Sequence, residues 1–449
     1  MATKTANSPR KVNGPVELAV VGGGPKAAAI AAKAQVLREL GKADVRVTIF
    51  EPKEIGAHWK GKGGYTDGEQ RLCTLAERDV GYPYSSVFGK DVDLQMAAHY
   101  SWGRFLHQRP IGYEQGFSTW LDAGRRPPYH GHYADYLAWV VDASRPRVVT
   151  AEVTALAKED GFWRLSSRSG DGRAQTDPTQ FNGVVVTGPG PARKIPLSRK
   201  RSAEVPHEKI FNGQDFWLRL KEVRRCLKEM EKVSNDDAQI VIAGAGGTAA
   251  AVLSWLIGAG ARDRRIVIVA TQASLYTRVD SVFENRLFSD ETAWSSLSPE
   301  SRRAFFDRLN RGVVWATVMD RVSTATALTM LDGKAKRIRV DSKDQWFLSV
   351  ESGDKSTIQL RPSFLIDATG FNPWWFLPMV KGLPRADRKP TKATTEGWER
   401  SLSKHLRLAG GIWDEYPSLH VPMVSSHVGP GYGSLMVLGG MADHILGAY

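Results

Sequence analysis

Six small residues in two matching spacings carry the first chemical signal in this chain. Gly22, Gly24 and Ala27 occupy the G-x-G-x-x-A positions of LAVVGGGPKAAAIAAKAQVLREL, and Gly244, Gly246 and Ala249 repeat them in QIVIAGAGGTAAAVLSWLIGAG, 222 residues later. In such a pattern the first Gly permits a tight strand-to-helix turn and the second lets backbone approach a pyrophosphate. The small third residue lets helix and strand pack closely, while the helix N-terminus faces the phosphate charge. One match is a weak signal, because small-residue turns are common in α/β proteins. Two, each after a β-branched run and before an alanine-rich helix, predict two dinucleotides on one chain. That is the wiring of a flavin enzyme reduced by a nicotinamide cofactor.

The ends of the following strands separate the two nucleotides. VRVTIFE places Glu51 27 residues beyond Gly24. A carboxylate there accepts hydrogen bonds from a ribose 2′-hydroxyl and repels a 2′-phosphate, which suits FAD or NAD. In RIVIVATQASLYTR, Thr271 and Gln272 stand where the acid would be, Arg278 follows, and Arg262, Arg264 and Arg265 precede the strand. An uncharged strand end among arginines admits a 2′-phosphate, so NADPH is expected over NADH. For any single arginine, a solvated basic face is the simpler account.

Other chemistry is thin. The GKGG of residues 61–64 lacks the G-x-x-x-x-G-K-S/T spacing of a phosphate loop. His130 and His132 suit one strand face rather than a helix-borne zinc pair, and no further His or Cys completes them, so no metal is expected. Asp79 stands beside Arg78, where local pairing explains it more simply than acid catalysis. No Ser/His/Asp or Cys/His constellation is evident.

The elements that position these residues come next. Residues 18–51 read as a β-α-β unit, and residues 52–145, rich in Gly, Tyr and Trp with weak periodicity, as loops and short helices around a site. Residues 148–169 read as strands joined at Glu159-Asp160-Gly161, and 181–196 as a buried strand ending in a turn. Residues 205–235 read as amphipathic helix, strand signals return at RIRVDS, QWFLSVES and TIQLRPSFLIDATGF, and an apolar helix closes the chain. The predicted fold is α/β with two Rossmann-like dinucleotide-binding units. The first, for FAD, spans residues 1–190 and 361–449; the second, for NADPH, spans 191–360.

With 449 residues, 42% hydrophobic and 24% charged, the chain can bury substantial cores. Two cysteines, Cys73 and Cys226, cannot build a disulfide framework. The first seventeen residues are polar with no apolar signal core, and no stretch has the length of a membrane span, so a soluble cytoplasmic protein is expected. The net charge of +13 is spread through clusters such as 193–201 and 221–232 without any nucleic-acid-binding motif. It reads as steering for anionic dinucleotides, with neither nucleic acid nor membrane as partner.

Several segments then fall into one family pattern. Asp367, Ala368, Thr369, Gly370 and Phe371 resemble the D-x-A-T-G-Y/F motif of flavin-dependent N-hydroxylating monooxygenases, and VVVTGPGP (184–191) is similar to their earlier hinge. The stretch 56–84 looks like the flavin and substrate segment of siderophore lysine and ornithine N-monooxygenases, nearest to the mycobactin-type lysine enzymes. DSVFENRLF (280–288) resembles the D-S-x-F-x-N-E-x-F segment of that family, and HYADYLAWV (132–140) its Y-x-x-W helix. The resemblance runs in order from residue 18 to the C-terminus and implies a class B flavoprotein monooxygenase architecture.

The resemblance also implies roles. Arg78 stands where the family has a lysine for the substrate carboxylate, and its fork can hold a carboxylate through two parallel hydrogen bonds. Asn285 matches the asparagine bridging substrate and nicotinamide, although a capping or turn amide explains an asparagine there as well. Gly431 and Ser434 match a flavin and substrate loop, Gly370 the return turn, and Trp59 a position near the flavin that core packing also explains. The implied reaction is N6-hydroxylation of free L-lysine for siderophore or related biosynthesis, with FAD, NADPH and dioxygen, through a C4a-hydroperoxyflavin that supplies the hard chemistry. The alternatives are ornithine, another amino acid or a diamine, oxygenation of a carbonyl or sulfur, and a redox-silent nucleotide-binding flavoprotein. Homodimer and homotetramer are the candidate assemblies.

Overall fold

In the computed structural model, residues 14–108, 116–198, 206–234, 238–272, 274–278, 281–310, 313–340 and 345–449 are described. The polar residues 1–13, the basic residues from 199 to 201 and Asp280 lie outside them.

Two five-stranded parallel sheets organise the chain. The first runs in the order Ser418–His420, Gly183–Val186, Val16–Val21, Val45–Phe50, Arg147–Val149. Its two leading strands, VELAVV and VRVTIF, pair in parallel from Val16 against Val45. Both are buried at five of their six residues because helices and loops cover both faces, as parallel sheets require. The crossover helix Pro25–Glu39 is buried along most of its length on six alanines. Their small side chains let it fit between the sheet and the helices His130–Ser144 and Leu438–Leu446.

The second sheet runs Leu328–Asp332, Arg265–Ala270, Gln239–Ala243, Phe364–Asp367, Ile210–Asn212. Two expectations change here. The strand Phe364–Asp367, assigned to the first unit by a boundary at 361, pairs with Gln239–Ala243 and Ile210–Asn212 in the second sheet. Its FLID run is buried on every residue, which demands neighbours on both sides. The segment 205–235 is not one helix. Phe211 is buried in an edge strand, and Asn212 Oδ1 then accepts from the backbone N–H groups of Gln214 and Asp215, turning the chain before the helices Asp215–Leu218 and Leu220–Met230.

The two connections between the sheets run side by side. Ala192 and Phe371 form an antiparallel bridge, Arg193 N donates to Gly370 O at 2.9 Å and Asn372 N to Pro191 O at 3.0 Å. Asp367, 4% exposed, clamps this crossing by accepting from Ile195 N at 2.6 Å and Thr369 Oγ1 at 2.6 Å. Gly190 (φ +79°) is obligatory, since a Cβ there would stand 2.1 Å from Asn372 O.

Smaller antiparallel sheets flank each unit. The strands Ala151–Glu159 and Phe162–Ser169 meet at Asp160 (φ +50°) and Gly161 (φ +82°), the left-handed pair of a two-residue hairpin. Among the described residues of 52–145 are loops and four helices, packed around Trp102, Phe105, Tyr133 and Tyr136. Among the described residues, no helix is long and apolar enough to cross a membrane.

Candidate active site

The first fingerprint is already shaped for a pyrophosphate. Gly22 (φ +103°) makes the turn out of the strand, and a Cβ there would lie 2.7 Å from Thr187 Oγ1. That hydroxyl donates to Val21 O at 2.8 Å, fixing the strand end. Thr187 is a site residue that the fingerprint alone does not reveal; its signal was the VVVTGPGP hinge. Gly24 precedes the helix, with no heavy atom within 4 Å of where its Cβ would stand. The space before the helix N-terminus is therefore open, and its backbone N–H groups point into it. Ala27 is fully buried between helix and sheet.

Glu51 closes this cradle. It is 5% exposed, and its Oε2 accepts from Gly23 N at 2.8 Å while Oε1 accepts from Lys53 N at 3.1 Å. A carboxylate has about four acceptor positions, so both oxygens retain capacity for ribose hydroxyls. These residues fit the adenosine end of FAD.

At the second fingerprint the turn is tighter. A Cβ on Gly244 (φ +108°) would stand 2.3 Å from Ala368 O, whereas Gly246 again faces open space and Ala249 is buried. Thr271 is exposed just past the strand Arg265–Ala270. Gln272 Nε2 donates to Ser274 O at 2.8 Å and reaches Ala245 O at 3.4 Å, so its amide folds over the fingerprint turn. Neither supplies a carboxylate. Arg262, Arg264 and Arg265 do not flank this site: they lie at the amino end of the strand, opposite the fingerprint turn. Arg262 Nε is taken by Thr324 O at 2.9 Å and Arg264 Nη1 reaches Met230 O at 3.4 Å. Arg278 ends a short strand paired with Val313–Trp315, and its side chain lies outside what is described.

The residues expected at the substrate lie on or beside one C-terminal loop. Arg78 is 9% exposed; its Nη1 donates to Thr74 Oγ1 at 3.0 Å and lies 3.5 Å from Met436 Sδ. Ser434 Oγ donates to Gly431 O at 2.9 Å and accepts from Met436 N at 3.1 Å, shaping that loop. Gly431 has no room for a side chain, because a Cβ would meet Val437 Cγ2 at 2.1 Å and Phe288 O at 2.8 Å. Phe288 belongs to the helix Val282–Ser289, which carries Asn285. Ser281 caps that helix, so capping does not account for Asn285 one turn inside it.

Asp79 departs from its expected pairing with Arg78. Its oxygens accept from Gly81 N at 3.0 Å, Tyr84 Oη at 2.8 Å and Trp102 N at 2.8 Å. Burial raises its carboxyl to about 6 against these donors, and it holds the aromatic helices in place. Trp59 meets His130 and Tyr133 edge-on, with centroids 4.8 and 5.5 Å away. Burial drops that histidine to about 4, so it is neutral at physiological pH. Gly370 (φ +102°) gives its carbonyl to the crossing between the units.

The family described as L-lysine 6-monooxygenase/L-ornithine 5-monooxygenase matches residues 97–363. The L-lysine N6-monooxygenase MbtG of Mycobacterium sp. (strain MCS) is 33% identical over 442 residues, covering 96% of this chain and 94% of its own. MbtG of Mycobacterium tuberculosis (strain ATCC 25618 / H37Rv) is 31% identical over 447 residues, with the same coverage of 96% and 94%. Among solved structures, lysine monooxygenase NbtG from Nocardia farcinica superposes with a TM-score of 0.73 at 28% identity, over 96% of this chain and 98% of its own. The ornithine N-hydroxylase KtzI of Kutzneria sp. 744 shares the fold, with a TM-score of 0.66 at 16% identity over 97% and 98% of the two chains.

Proposed function

Because the chain belongs to the L-lysine 6-monooxygenase/L-ornithine 5-monooxygenase family, we propose that it hydroxylates the side-chain amine of free L-lysine, using FAD, NADPH and dioxygen. FAD belongs to residues 1–190 together with the C-terminal stretch that follows the return strand, and NADPH to the unit between them. The observation that carries the choice of an amino acid is Arg78, a guanidinium 9% exposed in the wall it shares with Thr74 and Met436. A diamine has no group for it. Similarity to lysine enzymes along nearly the whole chain supports lysine over ornithine.

The flavin, reduced by NADPH, supplies activated oxygen. The chain's residues supply position and charge. Glu51 and the 22–27 turn hold the adenosine end, while Thr271 and Gln272 place no carboxylate against a 2′-phosphate. Arg78 binds the α-carboxylate in its fork, and Asn285 meets the polar groups of the bound amino acid. A lysine amine near its ordinary value of about 10.4 is protonated in water and has no lone pair to attack with. Transfer into a desolvated pocket favours its neutral form, so no side-chain nucleophile is needed.

The test is hydroxylamine formation by the purified yellow protein, across L-lysine, L-ornithine and cadaverine, with NADPH and NADH in parallel. Lysine with NADPH is expected to dominate. Hydroxylation of cadaverine but of neither amino acid overturns the substrate assignment, and equal use of NADH overturns the cofactor assignment. The protein is expected to act in the cytoplasm as a homodimer or homotetramer, which sedimentation of the holoenzyme checks.

A further inference from the structure

Between the strands of the second sheet the chain sends out two short helices, Val282–Ser289 and Glu291–Ser295, which share Asp290 as a joint. Asp290 Oδ1 accepts from Ala293 N at 3.0 Å, capping the second helix, while its backbone N–H closes the first on Arg286 O. Asp290 thus ties the two helices together. The pair carries Asn285, and it leans on the first unit at two places.

One place is apolar. Phe288 packs against the core of the first unit, and its carbonyl oxygen lies 2.8 Å from where a Cβ on Gly431 would stand. The other is polar, and nothing in the hydroxylation reading uses it. Tyr432 Oη donates to Glu291 Oε1 at 2.6 Å and lies 2.7 Å from His444 Nε2. His444 Nε2 also meets Glu291 Oε1, and His444 Nδ1 meets Lys404 O. Two side chains, Tyr432 and His444, therefore close on one carboxylate oxygen of Glu291, which stands 153 residues from His444 in the chain.

The burial pattern shows why this node is more than a surface ion pair. Tyr432 is 5% exposed, and burial together with the Glu291 carboxylate raises its hydroxyl well above the usual range, so it stays a donor. A buried donor must keep an acceptor or bear the cost of an unmade bond. Glu291 comes from the solvent side, its carboxyl lowered chiefly by the hydrogen bond to His444. An exposed ion pair on its own contributes little. Here the exposed partner satisfies a buried hydroxyl in the loop that also presents Gly431 and Ser434.

We propose that Glu291, Tyr432 and His444 form a clasp that docks residues 282–295 onto the first unit, and so act as positioning residues that fix where Asn285 stands relative to the 431–436 loop. The functional consequence rests on the amine-hydroxylation reading; the docking itself does not. With the clasp closed, the helix that carries Asn285 is held in register with the loop beside Arg78. With it open, the pair loses this polar contact while the Phe288 contact remains, and the amino acid is held less firmly while oxygen is being activated.

The test compares holoenzyme wild type with E291A, E291Q and Y432F. Hydrogen exchange of peptides within 282–295 is read without substrate; KM for L-lysine, hydroxylamine formed per NADPH consumed, and the rate of flavin reduction by NADPH are read with it. In E291A and Y432F the exchange should accelerate about tenfold, the ratio expected for one lost hydrogen bond in a locally opening segment. KM for lysine should rise and coupling fall while flavin reduction is unchanged. E291Q, which keeps an acceptor for Tyr432 Oη, should lie between E291A and wild type. Wild-type exchange in both E291A and Y432F overturns the clasp, and faster exchange with unchanged KM and coupling overturns its positioning role. If the wild type hydroxylates no amino acid, the functional reading fails, and the exchange measurement still decides the clasp.

Discussion

Lys26 Nζ donates to the carbonyl of Gly433 at 3.0 Å, joining residues 407 apart in the chain. The first turn of the flavin-fingerprint helix thereby holds the loop that carries Ser434. Burial lowers this ammonium from 10.5 to about 8. Its folded-state value lies below its unfolded one, so between about 8 and 10.5 the unfolded chain binds the extra proton, and stability rises with pH through that window. The shift is worth about 3 kcal/mol. Lys26→Met removes the titration. Its stability relative to wild type should fall by roughly that amount between pH 7 and 10.5 in denaturant melts of flavin-free protein. Parallel profiles for the two proteins would show that Lys26 does not titrate there.

Two glycines of one fingerprint should fail in different ways. Gly24 faces open space and has a backbone any residue adopts, so Gly24→Val should fold with a near-normal melting curve and purify without flavin. Gly22 has φ +103° and Thr187 Oγ1 2.7 Å from a Cβ, so Gly22→Ala should lose stability by about 1–3 kcal/mol before flavin is considered. Full flavin content in Gly24→Val would place the pyrophosphate elsewhere.

How much of this was legible depends on sequence separation. The fingerprints, Glu51 and the Asp160-Gly161 hairpin are local patterns in which spacing dictates geometry, and the structure has them where the spacing put them. Ile210–Asn212 was hidden because three residues leave no period to read, and only its pairing with Phe364–Asp367 makes them a strand. Arg262, Arg264 and Arg265 looked close to the nucleotide because they are near Thr271 in sequence, but a six-residue strand separates the two ends of the sheet. Asp79 looked like a partner for its neighbour Arg78, yet its donors come from Gly81, Tyr84 and Trp102. The Glu291, Tyr432 and His444 cluster has no sequence signature, since its members meet only through tertiary packing.

A buried ion pair ties the same fingerprint helix to the closing helix. Lys33 Nζ lies 2.6 Å from Asp443 Oδ1 and donates to Gly439 O at 2.8 Å, and Ser86 Oγ shares that carboxylate oxygen at 2.8 Å. Burial lowers the ammonium, and Asp443 opposes that shift. Asp443→Asn removes the compensating charge and leaves a buried cation, which should cost about 3–5 kcal/mol. Replacing both, Lys33→Met with Asp443→Leu, should recover most of the loss. A double variant no more stable than Asp443→Asn would mean that packing, rather than charge, dominates at this contact.

The substrate assignment stands or falls at Arg78. Its guanidinium is almost wholly buried, with Thr74 Oγ1 and Met436 Sδ as neighbours of Nη1. A carboxylate held by that fork would form a desolvated charge pair, and truncating one partner of such a pair costs about 2–5 kcal/mol. Arg78→Ala should therefore raise the KM for L-lysine by about 30-fold or more, each 1.4 kcal/mol being a factor of ten. Cadaverine has the same reacting amine and no carboxylate, so its KM should change little. Arg78→Lys offers a point charge in place of a planar fork and should recover only part of the lysine affinity. Steady-state hydroxylamine formation by the three proteins with both amines separates the outcomes. Equal losses for lysine and cadaverine would mean that Arg78 shapes the pocket without reading the carboxylate.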